Sequence, residues 1–295
     1  MTDIDQAQLD FYTEPGCMTS AGRFAPLLAA LPRDIAGLAA VTQGLMIHEH
    51  MAQAYGVRLT DAERSSVHVR PAEGLLDLIT ARDDRPLDVA RDPAARLAGN
   101  CRHFSVLMTT LLRAQGRPTR ARCGFGGYFT PGCYEDHWVC EYWNPSLDRW
   151  ALVDAQVDER QRGWFGIDFD LTDVPRDRFL VAGRAWDLCR SGAADPARFG
   201  LSLISEAGEW WIAGNLMRDA AALLGVEVLP WDTWAAMPGP AEPIPDELAG
   251  LLDRLAAVTQ APDEHSADLR RLCQDDRLRV PPAVHNELRA RDEPL

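Results

Sequence analysis

Apolar residues recur at Phe104, Leu107, Met108, Leu111 and Leu112, the i, i+3, i+4, i+7, i+8 spacing of a helix that buries one stripe. Gly116 followed by Pro118 supplies a stop, and counting back places the first turn at Cys101. Thr119–Phe129 reads as a strand. Residues 135–143 and 149–157 are rich in aromatic and β-branched types, and Asn144-Pro145-Ser146-Leu147-Asp148 between them has turn composition, so the pair predicts a hairpin. Centring the turn between Pro145 and Ser146 sets His137 opposite Asp154 and Val139 opposite Leu152, on one face. A one-residue slip would separate His137 from Asp154 by putting them on opposite faces.

Elsewhere the pattern is mostly helical. Residues 1–23 read as irregular, with Glu14-Pro15-Gly16 as a turn. Asp34 caps a helix running from Ile35 to about Tyr55 and ended by Gly56. Arg70–Thr80 holds a short apolar segment, and Leu87–Ala98 leads into the Cys101 helix. Trp164, Trp186, Trp210, Trp211, Trp231 and Trp234 crowd the chain after Asp154, with Trp210–Met217 and Asp219–Leu224 helical and buried. Met237 to Pro245 is a Pro-rich linker. Asp246 then starts an amphipathic helix with Leu248, Leu251, Leu252, Leu255 and Val258 on one stripe, and a short helix follows around Ala267–Cys273. These elements predict an α+β fold in four parts. They are a mainly helical stretch at 1–90, a core at 91–160, a Trp-rich extension at 161–236 packed on that core, and a helical tail at 246–295.

Three residues carry the candidate chemistry. Cys101 sits where free backbone N–H groups and the positive end of the helix dipole favour an anion, so its thiol pKa should fall below the free value of about 8.5. A carboxylate at Asp154, directly across the hairpin from His137, accepts the imidazole N–H and sets its tautomer. A Cys, a His and an Asp so arranged make an activated thiolate nucleophile.

The segment from about Leu97 to Asp158 resembles the transglutaminase-like superfamily of papain-fold enzymes. It carries Gly-Asn-Cys-Arg-His-Phe at 99–104, the helix to Gly116, Asp136-His137-Trp138-Val139 and Leu152-Val153-Asp154. The resemblance covers about a fifth of the chain. It implies a papain-like core, with the Cys-bearing helix packed on an antiparallel sheet and a Cys101-His137-Asp154 triad within the 91–160 catalytic core. It also implies acyl transfer through a thioester, forming or hydrolysing an amide on a small-molecule or peptide substrate. The oxyanion would lie at the Cys101 backbone N–H, with Gln43, Asn100 and Trp138 as further candidates for oxyanion or substrate contacts. The superfamily is broad, so a protein cross-linking enzyme and a catalytically silent binding protein are the alternatives.

Composition narrows the partners. The chain has 295 residues, 46% hydrophobic and 25% charged, enough for a large core. Its net charge of −14 argues against nucleic acid and anionic membranes. That charge is compatible with an amine-bearing substrate, and it also serves solubility. The chain contains Arg but no Lys, an association with GC-rich bacterial genes. Met1–Asp5 is acidic where a secretory signal would be basic and then apolar, and Ile35–Ile47 is shorter than the roughly 20 residues that span a bilayer, so a cytoplasmic protein is expected. The seven cysteines include no Cys-x-x-Cys pair, and free thiols are expected. His48-Glu49-His50 is no zincin motif, because position 52 is Ala52; on a helix the two imidazoles would point apart. Gly124-Phe125-Gly126-Gly127 is no dinucleotide fingerprint, since the sixth position is Phe129. No metal and no cofactor is expected, His103 is read as structural, and the oligomeric state is left open.

Overall fold

The computed structural model describes residues 6–240 and 242–295. The acidic start Met1–Asp5 lies outside them, as does Ala241 of the Pro-rich linker. The chain forms two compact units, each built from two stretches. One holds the chain up to Ala121 together with Val139–Val174, and the other holds Arg122–Trp138 and Pro175–Leu295. These units cut across the consecutive segments drawn from sequence. The long strands Thr119–Gly126 and Tyr134–Asn144 each give residues to both.

In the first unit the Cys101 helix spans Cys101–Ala114 and buries Phe104, Leu107, Met108, Leu111 and Leu112, as its periodicity requires. This stripe packs against Leu38, Val41 and Leu45 of the helix Ile35–Leu45. It also meets Cys140, Tyr142, Ala151 and Val153 of the predicted hairpin. The Cys-bearing helix on a sheet is therefore present. The hairpin pairs Asn144 with Arg149 and Cys140 with Val153. Its turn is one residue shifted from the expected centring: Asn144 Oδ1 accepts the Ser146 N–H at 3.1 Å, and Asp148 takes a left-handed φ of +49°. The loop thus covers Pro145–Asp148, and Glu141 rather than Val139 faces Leu152. The ladder stops before His137 or Asp154, so direct opposition of those two is not its register. Moving by two places keeps the parity of each face.

Two further expectations for this unit change. The helix from Ile35 ends at Leu45, not Tyr55, because Met46–His48 leaves it to pair in parallel with Leu97–Gly99. A single 3-10 turn at Ala52–Tyr55 then reaches Gly56, which stops it at φ +78°. The segment read as irregular contains a helix, Gln6–Thr13, whose buried Tyr12 meets Trp150 edge-on. Nearby, Arg120 donates to Glu141 at 2.7 Å in a nearly fully buried ion pair, with its guanidinium 4.0 Å from the Trp150 ring.

The Glu49 N–H donates to Gly99 O at 2.8 Å, extending the short ladder. Burial pushes the Glu49 carboxyl up to about 7 against the opposing pull of Arg64. The folded chain then holds a proton that the unfolded chain releases from about pH 4.5 upward. This group favours the fold at low pH and loses that contribution as pH rises through about 7. Glu49→Gln is expected to flatten this part of the profile and to be the more stable protein above that pH. Urea midpoints measured on either side of neutrality check it.

In the second unit the sheet order is Phe179–Val181, 122–126, 134–138, Phe199–Leu201 and Glu206–Ala207. The pairing of Tyr134 with Phe199 and Glu135 with Gly200 is parallel, so the sheet is mixed rather than wholly antiparallel. Trp210–Met217 and Asp219–Leu224 form one helix, Glu209–Leu223. The helix Asp246–Gln260 buries its predicted stripe. It lies close to the helix Ala182–Arg190, where a Cβ at Gly183 would come 2.8 Å from Ala256 O. The tail is not helical throughout. After Ser266–Leu272 it ends in a hairpin, Ala283–Asn286 with Arg291–Pro294, paired to Asp232–Thr233. Among the described residues no helix is long and apolar enough to cross a membrane.

Candidate active site

Asn100 precedes the Cys101 helix in extended conformation, and its Oδ1 accepts the Arg102 N–H at 3.1 Å. Cys101 is the first helical residue and is 8% exposed. Its position follows from the cap: an Asx side chain that satisfies one N–H of the first turn ends the strand Leu97–Gly99 and starts the helix in one step. The remaining N–H groups and the dipole concentrate positive potential around the first turn. His103 closes the cap from the other side, its Nδ1 accepting the Asn100 backbone N–H at 3.3 Å. Burial, helped by the Arg102 charge, holds the His103 imidazole well below its ordinary pKa and therefore neutral. Asn100→Ala is expected to cost about 1 kcal/mol, with Asn100→Asp retaining most of the stability; denaturant midpoints decide.

Asp154 follows the hairpin strand and is 1% exposed. Its N–H donates to Leu171 O at 2.9 Å, and its Oδ1 accepts Gln156 N at 3.0 Å and Val157 N at 3.3 Å. The carboxylate thus turns its own loop, in an Asx turn that fixes where the side chain sits. Gln43 is joined to the same loop, its Nε2 donating to Val157 O at 3.1 Å. A cleft in this unit is lined by Gln43, by Phe104 of the Cys101 helix, and by Gln156, Asp158, Gln161 and Tyr55. The Tyr55 hydroxyl accepts from Gln161 Nε2 at 3.1 Å. Tyr55, Gln156 and Gln161 were missed from sequence. Each is a single polar residue on a different element, and no spacing connects them.

His137 and Trp138 belong to the second unit. The His137 ring is buried among aromatics, with centroids 4.8 Å from Phe129, 6.0 Å from Tyr128 and 6.3 Å from Phe179, all near edge-on. Trp138 is buried, and its indole N–H has no acceptor among the described residues. Asp136, one residue before His137, accepts the Trp211 indole N–H at 2.8 Å. Burial raises the Asp136 pKa against the lowering influence of Arg218 and of that hydrogen bond.

Among the described residues no three His, Cys, Asp or Glu side chains come together as a metal site. The helix argument used against His48 and His50 does not apply, since His48 is on a strand and His50 in the turn after it; their rings are 5.6 Å apart.

Residues 55–155 match the model of the Transglutaminase-like superfamily, and the resemblance read from the Cys, His and Asp blocks lies inside that span. No curated protein matches the chain. Among solved structures it is similar to a candidate cysteine protease from Cytophaga hutchinsonii, at 17% identity and a TM-score of 0.32. That alignment covers 52% of this chain and 43% of the other. The protein is thus an α+β chain with a transglutaminase-like segment at 55–155.

Proposed function

We propose that this protein is a cysteine-dependent acyl-transfer enzyme of transglutaminase-like type, with Cys101 as nucleophile, His137 as acid and base, and Asp154 as the carboxylate that orients His137. The observation that carries the reading is Cys101 at the first position of a capped helix, inside the segment that matches the superfamily. In the reaction the Cys101 thiolate attacks an amide or ester carbonyl. The His137 imidazolium, which holds the thiol proton, gives it to the leaving amine or alcohol as the tetrahedral adduct collapses to a thioester. Water or an amine then attacks the thioester, losing its proton to His137 and releasing Cys101. The Gln156 and Val157 N–H groups on Oδ1 hold the Asp154 carboxylate that the mechanism assigns to the imidazole. The oxyanion is placed at the Cys101 N–H. The unaccepted Trp138 indole N–H supports Trp138 as an oxyanion or substrate contact, and the tie of Gln43 to Val157 O makes Gln43 a support of the Asp154 loop. Asn100 then acts through the cap that holds Cys101. The substrate is a small molecule or a peptide, and the acidic chain suits an amine-bearing one.

Intact-mass analysis of the protein mixed with a panel of activated acyl donors tests this reading. Wild type is expected to gain one acyl group on Cys101 and to lose it faster when an amine is added. An adduct formed equally on Cys101→Ala, or no adduct with any donor, overturns it.

A further inference from the structure

We propose that the second unit holds a separate binding site for a free α-amino acid with a large apolar side chain. The site is a pocket of about 180 Å³ walled by Trp210, Trp211, Trp231 and Met237, with Arg218 and Glu287 as its charged groups. Successive residues of a strand face opposite sides of its sheet. Asp136 bonds Trp211, a wall of this pocket, whereas His137 packs on Tyr128, Phe129 and Phe179. The pocket therefore lies on the side of the strand away from His137, and the proposed acyl transfer does not account for it.

The walls are fixed before any ligand arrives. Trp210 Nε1 donates to Ala207 O at 3.1 Å and Trp211 Nε1 to Asp136 Oδ2 at 2.8 Å, which locks two indoles as apolar faces. Gly214 keeps the space clear: a Cβ there would come 2.9 Å from Arg218 Nη1 and 3.6 Å from Met237 Sδ. Arg218 is only 7% exposed. Its Nη1 donates to Asn215 Oδ1 and its Nη2 to Asp232 O, both at 3.2 Å, while its buried Nε has no acceptor among the described residues. Each Nη keeps a second N–H that these bonds leave over, with Nη1 beside Gly214 in the pocket wall, and a ligand carboxylate accepts there in a charge-assisted bond. Glu287 is exposed, and one of its oxygens accepts from Thr233 Oγ1 at 2.7 Å.

The charges select the ligand class. A simple cation meets Glu287 but leaves the Arg218 guanidinium without a ligand anion. A simple anion is opposed by Glu287, with the Asp136 and Asp232 side chains also close enough to act on the guanidinium. A zwitterion answers both signs, with carboxylate to Arg218 and ammonium to Glu287. The indoles then cover an apolar side chain. The volume suits a single residue rather than a nucleotide or a long peptide.

Calorimetric titration of the full chain with L-phenylalanine, L-phenylalaninamide and 3-phenylpropionate tests the assignment. L-phenylalanine is expected to bind at one site. The amide, lacking the carboxylate, and the propionate, lacking the ammonium, should each bind about tenfold more weakly or worse. Glu287→Gln, an exposed change, should weaken L-phenylalanine by a similar factor and leave 3-phenylpropionate unchanged or stronger. Arg218→Lys should lose the preference for the carboxylate; if it does not fold, the ligand series and Glu287→Gln still decide. The same titration on Cys101→Ala should be unaltered, which separates this site from the acyl-transfer reading. No saturable binding of L-phenylalanine at millimolar concentration, equal affinity for all three probes, or indifference to Glu287→Gln overturns the proposal.

Discussion

Cys101→Ala is expected to lower turnover by roughly 10⁴-fold or more, the scale on which an enzyme loses activity with its covalent nucleophile. His137→Ala should cost a comparable factor, and the double variant little more, because the two groups act as a unit. Asp154→Asn should leave a measurable residue of activity, since Asp154 orients and stabilises but exchanges no bond. The same logic predicts thiol selectivity. Burial pushes Cys140 and Cys273 up to about 12 and Cys189 up to about 11, so these thiols stay protonated and slow. Cys17 is exposed and lies in a turn rather than at the first position of a helix, and so serves as an internal standard. Brief iodoacetamide treatment under mildly acidic conditions, followed by peptide mapping, should find Cys101 modified first. Labelling of Cys17 at the same rate or faster would remove the reason to regard Cys101 as activated.

The largest effect on stability is expected at Asp219. Asp219 is fully buried and takes both oxygens to Arg122, from Nε at 3.0 Å and Nη2 at 2.8 Å. It also accepts the Cys123 N–H at 2.9 Å, while Arg122 Nη2 donates to Thr259 O at 2.8 Å. One pair thus joins the sheet, the helix Glu209–Leu223 and the helix Asp246–Gln260. Asp219→Ala leaves the guanidinium buried without its counter-charge, at a cost of about 3–5 kcal/mol. Asp219→Asn should recover part of this by keeping hydrogen bonds. By contrast Asp173→Ala, which breaks the exposed pair with Arg149, should change stability by at most about 1 kcal/mol. Urea unfolding followed by tryptophan fluorescence measures all three. A loss below about 1 kcal/mol for Asp219→Ala would mean that the pair contributes no more than a surface one.

Local periodicity and capping chemistry were enough to place the Cys101 helix, the hairpin after it, the helix from Asp246 and the α+β class, because helix stripes and turn residues act over a few positions. The identity of the candidate nucleophile was legible for the same reason: an apolar repeat with a Gly and Pro stop puts Cys101 in a first turn, whereas the Asn100 cap that fixes this start appeared only in the structure. Only tertiary structure decided the rest. The hairpin register depended on the Asn144 side chain and on Asp148 adopting a left-handed φ, a choice between neighbouring turns that composition leaves degenerate. The helix from Ile35 stopped at Leu45 because Met46–His48 found a partner about fifty residues away, which no local pattern records. The stripe of the helix after the Pro-rich linker was legible, but not what it packs on: Thr259 accepts from Arg122 and Asp253 accepts the Trp186 indole N–H at 2.7 Å, so this helix completes the core of its unit. The tryptophans after Asp154 were visible as a crowd. Which three of them form one pocket around Arg218 depends on how a helix, a loop and the terminal hairpin meet, because burial and charge pairing are settled by contacts far apart in the chain.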